Sequence, residues 1–399
     1  MLKRWIILFV ILCGCVTASV AQERKFDVLV LPSLMDTDLD GWYRIPHNSG
    51  PYLHNTQQVV KNQLFNLIII FSGYAVDHSN LVNLTYDVQI YDPFGKPTED
   101  AGRGIVGYQG EVGNAENLLL NQQLMRVMFT DDYAYGTYQI EVKAYDQVSG
   151  TSVSVTRPIE LLPIDLDFSF ADSAAANTWM MSYHRELEPL KAVAALQLIV
   201  QTDPKWVTKH LSLVVFFSRL FADNLHLLNQ VNQDFERYSL EEQKRFLLID
   251  YFVGENQLAT HWQTRAFAEF RQTLQGIVFP SLNGEINHAV QLDMLWSEFL
   301  ATGKYEPIRK IVSALNLVKY QGTIDDIKQN KPQMTEELKR QAYLEATYKS
   351  AVWSLLSNNK QFPLVNKYCH FIYQNEQLTD SEKQQLAIIL RKVQLDAKS

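Results

Sequence analysis

At 399 residues the chain exceeds the length over which one hydrophobic core keeps growing, so two domains are expected. Apolar residues make up 47% and charged residues 20%, the balance of a globular protein able to bury a sizeable core. A net charge of -8, with no cluster of Lys and Arg in the body of the chain, argues against nucleic acid as a partner and against adhesion to anionic lipid.

Residues 1–21 read as an export signal: Lys3 and Arg4 start it, Trp5–Leu12 is a short apolar run, and Ser19-Val20-Ala21 offers small residues for cleavage. A rival reading takes Leu12-Cys13-Gly14-Cys15 as a lipobox with Cys15 lipidated. Either way the product is exported, to the periplasm or to a lipid anchor on the envelope. Cleavage after Ala21 leaves Cys369 as the one cysteine, so no internal disulfide can form. That usage fits a bacterial envelope protein better than a secreted eukaryotic one.

From 24 to about 165 the period is two. Val82–Tyr91 alternates Leu84, Tyr86, Val88 and Ile90 with polar residues, and Asp92-Pro93-Phe94-Gly95 follows as a turn. The alternation around Tyr138–Ala144, the turn at Asp146–Gly150 and Thr151–Thr156 predict a hairpin over 137–156. Leu64–Phe71, apolar except for Asn66, predicts a buried central strand. A β-sandwich is expected. Asp92–Pro97 after one strand and Gly136-Thr137-Tyr138-Gln139-Ile140 opening the next hairpin give residues 86–162 a resemblance to immunoglobulin-like or macroglobulin-type modules. The resemblance implies a binding, spacing or bracing role.

Two motifs in this half invite chemistry. Gly102-Arg103-Gly104-Ile105-Val106-Gly107 fits the GxGxxG dinucleotide fingerprint, but Tyr108–Gly113 after it is too rich in glycine to open a helix, so a glycine-rich β-connection is expected. Asp36-Thr37-Asp38-Leu39-Asp40-Gly41 has the spacing of a calcium loop, with Asp36, Asp38 and Asp40 as ligands. Arg44 and His47 occupy the positions where further ligands belong, so a solvated acidic turn competes with a variant Ca2+ site. His47 and His54 are a faint metal signal of the same region. No other cofactor is implied.

After Pro163 the period becomes helical and stays so to the end, predicting an all-α domain over 170–399. Helices are expected over 189–202, from Asp203-Pro204 through Leu220, and over 255–275, 286–302, 305–318, 334–357, 362–374 and 380–395. Ser239-Leu240-Glu241-Glu242 and Thr379-Asp380-Ser381-Glu382 fit capping boxes. In Leu292–Leu315, Gly303 ends one helix and Pro307 stands near the start of the next, an αα-hairpin. No fixed repeat period emerges, so the expectation is an array of helical hairpins.

The stretches Leu292–Gly303, Pro307-Ile308-Arg309 and Ala351–Asn358 resemble a family of uncharacterised bacterial exported proteins with a β-module and a helical domain. The resemblance implies a fold and no chemistry. The helical half contains no HExxH, GxSxG or phosphate-loop motif. Trp296 with Glu298, and Trp353 with Ser354 and Asn358, could line a groove between hairpins as ligand-binding residues. The competing reading puts both tryptophans in the core and pairs Glu298 with Lys304 or Arg309. His184 beside Glu186 and Glu188 reads as a charge pair on an exposed helix, and Cys369 as a small buried apolar residue.

The function expected from sequence is binding or scaffolding of a protein or peptide partner in the envelope. The alternatives are a hydrolase of cell-wall or other polymers using carboxylates of the helical domain, and a calcium-stabilised structural module.

Overall fold

A computed structural model describes residues 25–34, 53–254 and 257–396, with the side chain of residue 266 left out. A β-rich N-terminal region of two sheets is followed by a helical C-terminal region. Asp36, Asp38, Asp40, Cys15 and the export signal lie outside the described residues.

The first sheet is centred on β3 (Leu64–Ser72), which pairs antiparallel with β1 (Asp27–Ser33), β6 (Leu119–Leu120) and β7 (Met125–Met128). As its continuous apolar run predicts, β3 is buried on both faces. The second sheet runs β2 (Gln58–Val60), β9 (Thr151–Leu162), β8 (Gly136–Asp146), β4 (Leu81–Tyr91), β5 (Pro97–Glu111). Only β2 against β9 is parallel in this order. Alternate residues of both sheets, among them Phe65, Phe71, Tyr86 and Ile140, bury one shared core. The GxGxxG glycines all lie within β5, with no helix after them. Gly107 has no room for a side chain there, because a Cβ would come within 2.6 Å of the Phe71 ring.

Between the regions the chain is tied down. Leu166 and Phe170 pack against the helical core, and the Phe170 ring lies 5.8 Å from Trp179 on α1 (Ser173–Ser182).

The helical region has two cores. The first gathers α1, α2 (Ala192–Ile199), α3 (Pro204–Lys209), α4 (Leu211–Asp223), α5 (Leu225–Gln233), α6 (Leu240–Val253) and α7 (Arg265–Gln275). The second gathers α9 (Tyr305–Ser313), α11 (Glu336–Gln361), α12 (Pro363–Asn375) and α13 (Asp380–Asp396), with α10 (Thr323–Asn330) on the surface. The wall between them is α8 (Ala289–Thr302): Met294 and Ala301 face the first core, while Leu292, Leu295, Trp296 and Phe299 face the second. A helix apolar on two faces is buried on two faces.

Local signals were obeyed closely. Ser239 and Glu242 close a capping box, as do Thr379 and Glu382. Asp203 caps the N–H groups of Lys205 and Trp206, and Gly303 ends α8 with φ 66°. The helix expected to run on from Pro204 breaks at His210, whose Nδ1 takes up the Trp206 carbonyl at 2.8 Å while the two rings stack. A second break follows beyond the expected end, at Asn224, which donates to Leu220 O at 2.9 Å. Among the described residues no single helix is long and apolar enough to cross a membrane; α4 and α5 are so only as a pair, bent by 90°.

Candidate functional site

A cleft of about 410 Å³ lies where the two regions meet. Its apolar floor comes from both sides: Val59 of β2 and Leu162 at the end of β9, with Leu187 and Leu190 from the approach to α2. Volume and setting both suit ligand binding, since pockets concentrate at domain junctions and start at about 300 Å³.

The rest of the lining is largely polar: Thr56, Gln58, Gln63, Asp165, Asp167, Glu188 and Lys191. Asp165 and Asp167 lie on the extended connection after β9, where Asp165 Oδ1 accepts the Asp167 N–H at 2.9 Å. Alternation turns Leu166 into the helical core and leaves both carboxylates exposed. Lys191 is engaged within the lining: its Nζ is 2.6 Å from Glu188 Oε1 and 5.0 Å from the centroid of Phe168. Burial raises the pKa of the nearby Tyr238 phenol, and the charges of Asp234, Glu242 and Asp167 add to this. From the β side comes Gln63, 4% exposed, with its Oε1 held by the Val60 N–H at 3.0 Å.

The residues singled out from sequence do not assemble with this cleft or with each other. Trp296 is in the second helical core, 9% exposed, and its indole N–H has no partner among the described residues. Trp353 stands 72% exposed on α11, beside Leu356, Ser357, Lys360 and Gln361. The expectation that both tryptophans are core therefore holds for one and fails for the other. Glu298 pairs at 3.2 Å with Arg219 of α4, not with Lys304 or Arg309; α8 turns it towards the first core's helices. Asn358 gives its carbonyl to the Phe362 N–H that ends α11.

His184 departs most from expectation. It is 2% exposed between the Phe299 and Phe362 rings, at 5.0 and 5.4 Å, with neither ring nitrogen in a formed hydrogen bond. Burial first, then the Arg185 charge, pushes its pKa down to about 4. It is a neutral packing residue. Cys369 is fully buried, its thiol pushed up to about 12 by burial, with Asn359 Nδ2 at 3.3 Å. Burial likewise lowers the pKa of His54.

A hydrolase would need carboxylates facing one another. Among the described residues, three buried carboxylates, Asp146, Glu382 and Glu345, each hold a local structure, and a fourth, Asp250, does not. Asp146 ties the β8–β9 turn through the Val148 and Ser149 N–H groups and reaches Ala75 N. Glu382 closes its capping box and meets Arg309 at 3.3 Å. Burial drives Glu345 up, but Lys349 at 2.6 Å and the Ile324 and Gly322 N–H groups outweigh it and leave the pKa lowered. Asp250, 1% exposed, has neither carboxylate oxygen in a formed hydrogen bond among the described residues, and burial raises its pKa. No group of three or more metal-ligating side chains occurs among the described residues.

No family model matches the chain, and no curated protein does. Among solved structures the chain is similar to a family 123 glycoside hydrolase from Clostridium perfringens, described in work on glycolipid glycan hydrolysis, at TM-score 0.22 and 8% identity. That match covers 43% of this chain and 34% of the other. A structure named pT26-6p gives TM-score 0.17 and 10% identity, covering 84% and 47%. The chain thus spans less than half the length of either, and similarity this low carries no argument about fold or activity.

Proposed function

We propose that this is an exported bacterial envelope protein that binds a protein or peptide partner, in the periplasm or anchored through Cys15. The observation that carries the reading is the cleft at the junction of the two regions, lined by apolar and polar residues together. The engagement of Asp146, Glu345 and Glu382 in turns, caps and ion pairs supports binding over hydrolysis.

In the same reading the N-terminal region is an immunoglobulin-like sandwich. Three features support this. The first two described strands, β1 and β2, lie in different sheets. β2 lies parallel to the last strand. Tyr138, near the start of β8, donates its hydroxyl to Ala134 O at 2.8 Å, the arrangement of a tyrosine corner. Such modules serve recognition by many different surfaces, so the cleft, not the fold, carries the function.

The test is photocrosslinking in cells. A crosslinking amino acid at Phe168, beside the cleft, should give a discrete adduct in the envelope fraction, and one at Val278, 85% exposed and away from the lining, should not. Adducts at neither position, or at both alike, would sink the reading.

A further inference from the structure

Residues 276–288 join α7 to α8 with no helix or strand of their own. The strap is anchored on both sides of its middle. Gln291 Nε2 donates to Ser281 O at 2.7 Å and Lys310 Nζ to Leu282 O at 2.6 Å, while Ile286, 5% exposed, belongs to the second core. Between these anchors lies Asn283-Gly284, exposed, and the one Asn-Gly pair in the sequence.

We propose that Asn283 is a modification site, deamidated without an enzyme by attack of the Gly284 backbone nitrogen on its side chain. A bond forms from Gly284 N to Asn283 Cγ and the Cγ–Nδ2 bond breaks; Nδ2 leaves as ammonia, taking the proton that Gly284 N gives up. Water then opens the cyclic imide at one of its two carbonyls, giving aspartate or isoaspartate. Either product adds a negative charge to the strap, and isoaspartate also adds a backbone carbon between the Leu282 and Ile286 anchors.

The reaction needs a peptide nitrogen that is free and can be approached. Among the described residues neither the Gly284 N–H nor the Asn283 side-chain amide makes a hydrogen bond; Asn283 is held only through its own N–H, which donates to Ser281 Oγ at 3.2 Å. Where a side chain would start at Gly284 there is open space, and glycine leaves the backbone free to turn. Asn287, exposed in the same strap, lacks these conditions. The nitrogen after it, His288 N, donates to Gln291 Oε1 at 3.0 Å, and Asn287 N donates to the same oxygen at 2.8 Å. His288 also carries a side chain where Gly284 has none.

The experiment is incubation of the full chain in heavy-oxygen water at mildly alkaline pH, folded and in urea, so that each carboxylate formed during incubation is labelled. Cleavage after glutamate then puts the two asparagines in separate peptides, 270–285 and 286–298. In the folded chain the first peptide should gain label at residue 283, as separable aspartate and isoaspartate forms, about tenfold or more faster than the second gains it at residue 287. The rate at Asn283 should lie within about threefold of its rate in urea, because the fold leaves the site open. Gly284→Val fits the open space without a left-handed backbone, and should slow labelling at Asn283 by about tenfold or more. An unlabelled Asn283 in the folded chain overturns the proposal, as do equal rates at the two asparagines, a wild-type rate in Gly284→Val, or aspartate formed with no isoaspartate.

Discussion

Tyr368 donates its hydroxyl to the backbone carbonyl of Gly303 at 2.9 Å, joining α12 to the turn between α8 and α9. The turn needs glycine for its left-handed conformation, and Tyr368, 4% exposed, holds it from the opposite side of the second core. Tyr368→Phe should cost about 1–2 kcal/mol, the loss of a buried hydrogen bond with its acceptor left behind. Urea unfolding followed by tryptophan fluorescence would check this, since Trp179, Trp206, Trp262, Trp296 and Trp353 all report on the helical region. A midpoint unchanged from wild type would contradict it.

Gly107 allows β5 to lie against Phe71, a ring that is fully buried and cannot yield. Gly107→Ala should therefore destabilise the β-region by about 1–3 kcal/mol through overpacking. Gly104, with φ 62° and open space around it, should lose about 1 kcal/mol as alanine, from backbone strain alone. Thermal melts by near-ultraviolet circular dichroism would rank the two; the reverse order would refute the packing account.

His184 and His226 both have pKa values lowered to about 4 in the fold, chiefly by burial. Unfolded histidines protonate near pH 6.5, so between about 6.5 and 4 the unfolded chain binds more protons than the folded one. Stability from these residues is complete above pH 6.5 and is lost as pH falls to about 4. His184→Leu, which keeps an apolar side chain between Phe299 and Phe362, should flatten this limb by up to about 1.4 kcal/mol per pH unit. Urea midpoints measured from pH 7.5 to 4 give the slope. A slope equal to wild type would mean that His184 charges freely in the fold.

Glu345 reaches from α11 to cap α10, accepting the Ile324 N–H at 2.6 Å while paired with Lys349. None of the residues of α10 is buried, so this cap is its main tether. Glu345→Ala should leave the global midpoint little changed relative to the local effect, and should speed amide exchange over 322–326 by about tenfold or more. Exchange equal to wild type in that segment would show that α10 is held by other contacts.

Sequence alone determined what depends on a few neighbouring residues. The capping boxes at Ser239 and Thr379, the Asp203 cap, the αL residue Gly303 and the alternation in β4 and β8 are set by hydrogen bonds or face periodicity within one turn or one strand. For the same reason β3 was legible as a central strand and the GxGxxG stretch as β-structure. Tertiary structure decided which of two similar side chains is inside. Trp296 and Trp353 both sit at helical spacing, yet one faces the second core and the other faces solvent, because α8 is walled on two sides and α11 is not. Glu298 finds Arg219, remote in sequence, and His184 lies between rings from α8 and the start of α12. The cleft is of this kind too: its floor is assembled from β2, β9 and the approach to α2, and no local pattern encodes a void that arises only when separate segments stop short of each other.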